Sequence, residues 1–509
     1  MISSATRRII QQRLNDEVGR IDKDAPLRVA LTYPSPYGVA MSSLGYQQIY
    51  RRIQAMPGVC AERVFLPDDA ADERSVVSYE GLRPLSEFPI VALSVAYELE
   101  LAGLVRLLSA SGLPPLASER DENHPFVLAG GPLTFSNPLP LGPFVDAIVI
   151  GEAEEIAEHA LEVVLGAPTR KSALEQLAAH PHVYVPSLHG DELPAVAKCN
   201  DQLLPAHSAI RTPHTELSNM FLIETERGCS RACQYCVMRR STNGGMRVVP
   251  KETVLGLIPE GAAKVGLVGA AVSDHPKITQ IVEALADSGR SVGLSSLRPD
   301  RLKEPFVAAL KKAGHKSLTT ALDGISERMR QMIERRGRED HFRAAVARAR
   351  AVGMERVKLY LMLGLPTESD EDIDEGVQFV SELSKQLPIA LGIAPFCAKR
   401  KTPLDAQPFA GVDVVASRLD RLRRGLRGRA DVRSTSAKWA WVEYVLAQGN
   451  REEGLALLEA VRRGGKFADY RRAFSPLGYS VKGPQHPRLG ADHLDQSNLV
   501  TLKRPGSST

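Results

Sequence analysis

The sequence predicts an α/β protein: an N-terminal doubly wound, Rossmann-like domain, a central partial (β/α)6 barrel of the TIM type and a helical C-terminal region. Three observations carry that expectation. Short apolar runs rich in β-branched residues alternate with amphipathic helix-patterned text from about Leu27 to Leu165, as a parallel sheet covered on both faces requires. The alternation lapses over 166–218 and resumes at Met220 with six further strand candidates. Beyond Phe396 the text has helical periodicity and is rich in Arg.

In chain order, residues 1–26 read as an extension without the apolar core of a signal peptide. "LRVALTYP" opens the first domain (27–165) as a buried strand ending at Pro, and a helix candidate follows at "SSLGYQQIYRRIQAM". "FPIVALSVAY", "HPFVLAGGP" and "VDAIVIGEAEEIAEHALEVV" continue the alternation. "AGGP" and "GEAEE" fall at strand ends, where Gly serves either a tight turn or a bound ligand. Residues 166–218, with many Pro and His, read as a linker with a small hairpin at "HVYVPSL" and "PAVAKCN". The barrel (219–397) is expected from "MFLIETERGC", "KVGLVGAAVSD", "RSVGLSSLRPD", "KSLTTALDG", "RVKLYLMLGLP" and "PIALGIAPF". A helical region (398–482) and a tail (483–509) with the composition of a disordered segment complete the chain.

Composition narrows the functional classes. With 509 residues, 43% hydrophobic and 24% charged, the chain suits a globular protein of two or three domains. A formal charge of +4 over that length does not by itself imply a polyanion partner, which needs a concentrated basic face. The one dense basic stretch, "RLDRLRRGLRGRADVR", has no interleaved aromatics to stack on bases and reads as a solvated helical face. No run is long enough to cross a bilayer, and Cys60, Cys199 and Cys397 are scattered, so a reducing, cytoplasmic setting is expected.

The other three of the six cysteines lie together in "ETERGCSRACQYCVMRR". Clustered thiolates are soft ligands for zinc, copper(I) or iron-sulfur clusters. A closed structural zinc site takes four ligands, and here there is no second CxxC and no His at finger-like spacing. A 4Fe-4S cluster takes one ligand per iron, so three cysteines leave one iron open to a substrate or cofactor.

The spacing Cys229-x3-Cys233-x2-Cys236, with aromatic Tyr235 before the last cysteine and a strand before the first, resembles the radical S-adenosylmethionine (SAM) superfamily. The resemblance implies that Cys229, Cys233 and Cys236 hold a 4Fe-4S cluster, that SAM chelates the fourth iron, and that an external donor of the flavodoxin or ferredoxin type reduces the cluster. "SLRPD" resembles a segment whose Ser296 and Arg298 would face the cofactor's polar end. "SLTTALDG" places Asp323 where relatives carry Glu, and "KLYLMLGLPTESDEDI", with Gly364, Pro366 and Glu368, resembles a wall beside the adenine. The usual Gly-Gly-Glu segment is replaced by "LVGAAVSDHP", leaving Ser273 or Asp274 to contact the methionine amino group. The first domain resembles that of the cobalamin-binding-like subgroup, yet the loop after its first strand, "YPSPYGVAMSSLG", contains no His to ligate cobalt, so cobalamin stays an open expectation.

The function so implied is that of a radical SAM enzyme, reductively cleaving SAM to a 5′-deoxyadenosyl radical, on a small-molecule or lipid substrate in preference to RNA. A cobalamin-dependent methyltransferase, an RNA methylthiotransferase-like transferase, and, in another class, a non-catalytic iron-sulfur assembly or sensor protein are the alternatives. No residue is assigned to chemistry on the substrate.

Overall fold

Parallel pairing of the early apolar runs builds the first sheet of the computed structural model, which describes residues 2–69, 76–240, 242–294 and 297–487. Its strands are β1 (Leu27–Pro36), β2 (Val59–Leu66), β3 (Ile90–Ser94), β4 (Phe126–Gly130) and β5 (Ala147–Val149), in spatial order β2-β1-β3-β4-β5. β6 (Val183–Tyr184) adds an antiparallel edge. The stretch read as a linker with a hairpin therefore differs from expectation. It holds the helix Arg170–Ala178 and completes the first sheet, while Ala197 meets Gly151 through a single parallel bridge instead of pairing with β6. Hairpin text and edge-strand text look alike locally, because both are short β-branched runs beside turns.

β2 is buried along its whole length although it carries Glu62 and Arg63. The N-terminal extension explains this. Its helix Ser4–Asn15 leads to Glu17, whose carboxylate lies 2.7 Å from the Arg63 guanidinium, both side chains fully buried, and Glu80 lies 2.6 Å from the same group. A buried ion pair is tolerated only when its hydrogen bonds are complete, so removing either partner leaves an uncompensated charge.

The second unit carries β7 (Met220–Glu224), β8 (Glu226–Arg227), β9 (Arg247–Val248), β10 (Lys264–Val268), β11 (Ser291–Leu294), β12 (Ser317–Gly324), β13 (Arg356–Leu363), β14 (Ile389–Pro395) and β15 (Ala430–Ser434). The parallel ladders run β11-β10-β7 and β12-β13-β14-β15, and one parallel bridge, Leu297 to Thr320, connects them. Antiparallel β8 and β9 stand apart and close the neck of the cysteine-bearing loop. The text expected to be wholly helical after Phe396 contributes β15, whose Arg433 follows the helix Val412–Gly425. That strand was hidden because its alternating Asp431 and Arg433 carry no apolar signal.

Three C-terminal helices, Ala437–Gln448, Arg451–Arg462 and Phe467–Phe474, share one apolar cluster with the first domain, in which Trp441 and Phe474 join Leu104 and Val127. Asn137, from the first domain's "AGGPLTFSNPLPL" segment, donates to the carbonyls of Leu446, Ala447 and Gly449 at 3.2, 3.0 and 2.7 Å, satisfying the end of the helix Ala437–Gln448. Residues 483–487, expected within a disordered tail, pack on the fold, with Gln485 buried and bridging to Phe409, and 488–509 lie outside the described residues.

Candidate functional site

A barrel of parallel strands presents its carboxyl ends as a shared rim, and the cysteine loop rises from that rim directly after β7 and β8. Cys229, Cys233 and Cys236 line a cavity of about 160 Å3 together with Arg231, Tyr235, Met238, Ser273, Arg298, Asp323 and Arg335. Cys229 and Cys233 are buried and Cys236 is half-buried. Burial pushes the Cys229 thiol up and Cys236 to about 11, so a metal must displace protons to bind here.

Three thiols at one cavity supply one ligand fewer than a closed tetrahedral zinc site takes, and leave one iron of a 4Fe-4S cluster open.

The polar side of the cavity is cationic. Arg298 is 6% exposed, its Nη1 has no hydrogen-bond partner, and burial followed by the nearby Arg335 charge depresses its pKa. A buried guanidinium that lines a cavity and has an unpartnered nitrogen is suited to an anion. Arg335 lies 2.6 Å from the Asp323 carboxylate, which also accepts the Tyr235 hydroxyl at 2.7 Å. Despite its burial, Arg335 is held charged by Asp323, and burial together with the same carboxylate raises Tyr235. Asp323 reaches the cavity because β12 bulges between Ala321 and Asp323, the latter at φ 63°.

Of the residues expected from sequence, Tyr235, Ser273, Arg298 and Asp323 meet at this cavity with the three cysteines. Ser296 lies outside the described residues. Gly364, Pro366 and Glu368 do not line the cavity: buried Glu368 accepts from the Gly364 N–H and from Arg418, each at 2.8 Å, and thereby fastens the turn after β13. Asp274, offered as a substitute for the missing Glu, is occupied by Arg231 at 2.7 Å and Arg301 at 2.8 Å, while the Ser273 hydroxyl accepts the Arg298 N–H at 3.2 Å.

Arg231 and Arg335 escaped the sequence reading. Arg231 could have been flagged as a charge between two thiol ligands. Arg335 had no local signal, since a backbone bond from Gln234 to Ile333 brings its turn beneath the cysteine loop.

Part of the C-terminal Arg run is paired within the chain, while Arg423, Arg424, Arg427 and Arg429 are exposed. Arg418 binds Glu368, Arg421 pairs with Asp370 and Asp374, Arg433 pairs with Asp431, and Arg429 donates to Ser381.

The strand order, the three-thiol loop at the barrel rim and the covering α/β domain define a cluster-dependent enzyme class. The chain belongs to the radical SAM superfamily: the family described as "Radical SAM superfamily" matches residues 223–380, and that described as "Radical SAM proteins, N-terminal" matches 45–186. An uncharacterized protein of Methanocaldococcus jannaschii is 26% identical over 392 residues, covering 75% of this chain and 80% of that protein. The ribosomal protein uS12 methylthiotransferase RimO of Geotalea uraniireducens is 25% identical over 252 residues, covering 46% of this chain and 54% of its own length. Among solved structures, the cobalamin-dependent SAM radical enzyme OxsB with aqua-cobalamin bound superposes with a TM-score of 0.51 at 12% identity, covering 71% of this chain and 53% of OxsB. The chain thus spans about half the length of the methylthiotransferase and of OxsB, and the second likeness is one of fold.

At the point where the strand order of the first domain reverses, between β1 and β3, buried Glu100 accepts the Ala96 N–H at 2.6 Å, and a Cβ at Gly103 would lie 2.1 Å from the Pro34 carbonyl oxygen, so the helix Glu100–Ala110 packs closely on the end of β1.

Proposed function

We propose that this chain is a radical SAM enzyme in which Cys229, Cys233 and Cys236 ligate a 4Fe-4S cluster and Arg298 and Arg335 receive the SAM carboxylate. The observation that carries the proposal is the single cavity shared by three thiols and a buried, partly orphaned guanidinium. When bound and reduced, such a cluster supplies one electron to the SAM sulfonium, whose bond to C5′ breaks to leave methionine and a 5′-deoxyadenosyl radical. The protein's part is to orient and to exclude water. Tyr235 and Arg335 fix Asp323, Arg231 ties the cysteine loop to Asp274, and the first domain covers the rim. An external electron donor is required. The cluster and six free thiols suit a reducing, cytoplasmic compartment.

A small-molecule or lipid substrate is favoured over RNA because Arg418, Arg421 and Arg433 of the run pair with carboxylates of the chain and the stretch has no interleaved aromatics to stack on bases. A second reading, methylthio transfer to a protein, follows from the similarity to RimO, a methylthiotransferase of ribosomal protein uS12.

Anaerobic reconstitution should give about four iron and four sulfide per chain, and replacing any of Cys229, Cys233 or Cys236 by Ala should abolish the cluster. Dithionite-reduced protein should release 5′-deoxyadenosine from SAM, and Arg298→Gln should weaken SAM binding by about 1.5–3 kcal/mol, the worth of a hydrogen bond to a charged group. A triple-Ala variant retaining a full cluster would refute the assignment.

A further inference from the structure

The "GEAEE" segment at the end of β5 has no place in the cofactor cavity, yet its carboxylates reach the neck of the cysteine loop. β8 and β9 pair Arg227 directly with Arg247. Two like charges facing each other across a two-residue ladder repel, and Gly228, Cys229 and the rest of the loop hang from that ladder. Between the guanidiniums stands Glu152 of the first domain, 4% exposed in its side chain. It pairs with Arg247, lies 3.5 Å from Arg227, and accepts Asn243 Nδ2 at 3.0 Å and the Cys199 N–H at 2.9 Å. Glu154 adds a 2.6 Å pair to Arg227, which is also held by Glu224 at 2.8 Å, and Asp201 lies 3.1 Å from Arg247. Cys199 Sγ lies 3.2 Å from Arg227 Nη1, and burial drives that thiol to about 12, so Glu152, Glu154 and Cys199 form a carboxylate-thiol nest already filled by arginine, not a second metal site.

We propose that Glu152, assisted by Glu154, is a positioning residue that staples both sides of the cluster loop, making the first domain a built-in clamp on the iron-sulfur site. The proposal rests on the assignment of the cluster to Cys229, Cys233 and Cys236. Without Glu152, Arg227 keeps Glu154 and Glu224 and Arg247 keeps only the exposed Asp201, no carboxylate bridges the two strands, and the less compensated repulsion loosens the neck and exposes the cluster; with it, the neck is held by the first domain.

The test is the rate at which a ferrous chelator extracts iron from anaerobically reconstituted full-length protein, read beside the spectrum of the reduced cluster. Glu152→Gln should speed extraction about tenfold or more and alter the spectrum. Glu158→Gln, on the helix that follows Glu152, breaks a pair with Arg52 of the earlier helix Leu44–Ala55 and should behave as the parent. The double variant Glu152→Gln/Arg247→Gln should recover much of the lost retention, because it removes the repulsion together with the staple; simple loss of packing would make the double variant worse. Should Glu152→Gln fail to fold by far-UV circular dichroism, Arg247→Lys, which keeps the charge but loses the fork, should accelerate extraction at least threefold. Parental extraction rates in Glu152→Gln, or in Arg247→Lys where Glu152→Gln does not fold, or a double variant worse than the single, would overturn the clamp. A parent chain that assembles no cluster would instead overturn the cluster assignment on which the clamp rests.

Discussion

At the scale of single residues, Glu226 shows how the site trades stability for placement. It is fully buried beside the cysteine loop, one carboxylate oxygen accepts the Ala271 N–H at 2.7 Å, and the other has no partner. Burial raises its pKa to about 7. A carboxyl group whose folded pKa lies above its unfolded value favours the folded state when protonated, so its contribution is lost as pH rises from about 4.5 through about 7. Glu226→Gln should therefore match the parent near pH 4.5 and exceed it in stability above pH 7 by up to about 3 kcal/mol, from roughly 1.4 kcal/mol per pKa unit. Denaturant melts at the two pH values check this; a parent whose advantage over the Gln variant grew with pH would contradict it. Neither this residue nor Arg335 could be read from sequence. Their environments are made by Ala271 and by the Ile333–Arg336 turn, which lie far along the chain from them or from the loop they serve.

At the scale of elements, the decisive piece is the short β8–β9 neck. Gly228 occupies φ +83°, and a Cβ there would lie 2.1 Å from the Gly245 carbonyl oxygen, so the neck closes only because this position has no side chain. Gly228→Ala should displace Cys229 and leave well under half of the parental iron after reconstitution, with an unchanged far-UV spectrum because the ladders lie elsewhere. Full iron loading would show that the neck tolerates opening. The bulge in β12 and the strand β15 belong to the same scale. Pattern reading located the first five barrel strands and the last apolar one, since each carries a buried apolar run. It missed β15, which is half-exposed and charged, and it could not foresee the bulge, which depends on register with β13.

At the scale of the whole molecule, the first domain is bound to its neighbours through Asn137 and Glu98 to the C-terminal segments and through Glu152 and Glu154 to the neck of the cysteine loop, among other contacts. The loop after its first strand carries no His to ligate cobalt. Equilibrium dialysis of the reconstituted protein with hydroxocobalamin should accordingly show no stoichiometric retention, whereas one equivalent retained would move methyl transfer to the front. The described residues include no helix long and apolar enough to cross a membrane.

By itself the sequence determined the alternation of strands and helices, the three-thiol loop after a barrel strand, and the chemistry such a loop invites, because each of these is written in residues adjacent along the chain. Tertiary structure alone decided which charges face the thiols, that Glu368 fastens the turn after β13, that Arg418 and Arg421 of the Arg run find carboxylates from distant segments, and that carboxylates of the first domain reach the neck of the loop. Those outcomes depend on side chains brought together from distant segments, where burial and register, not local pattern, set which polar groups find partners.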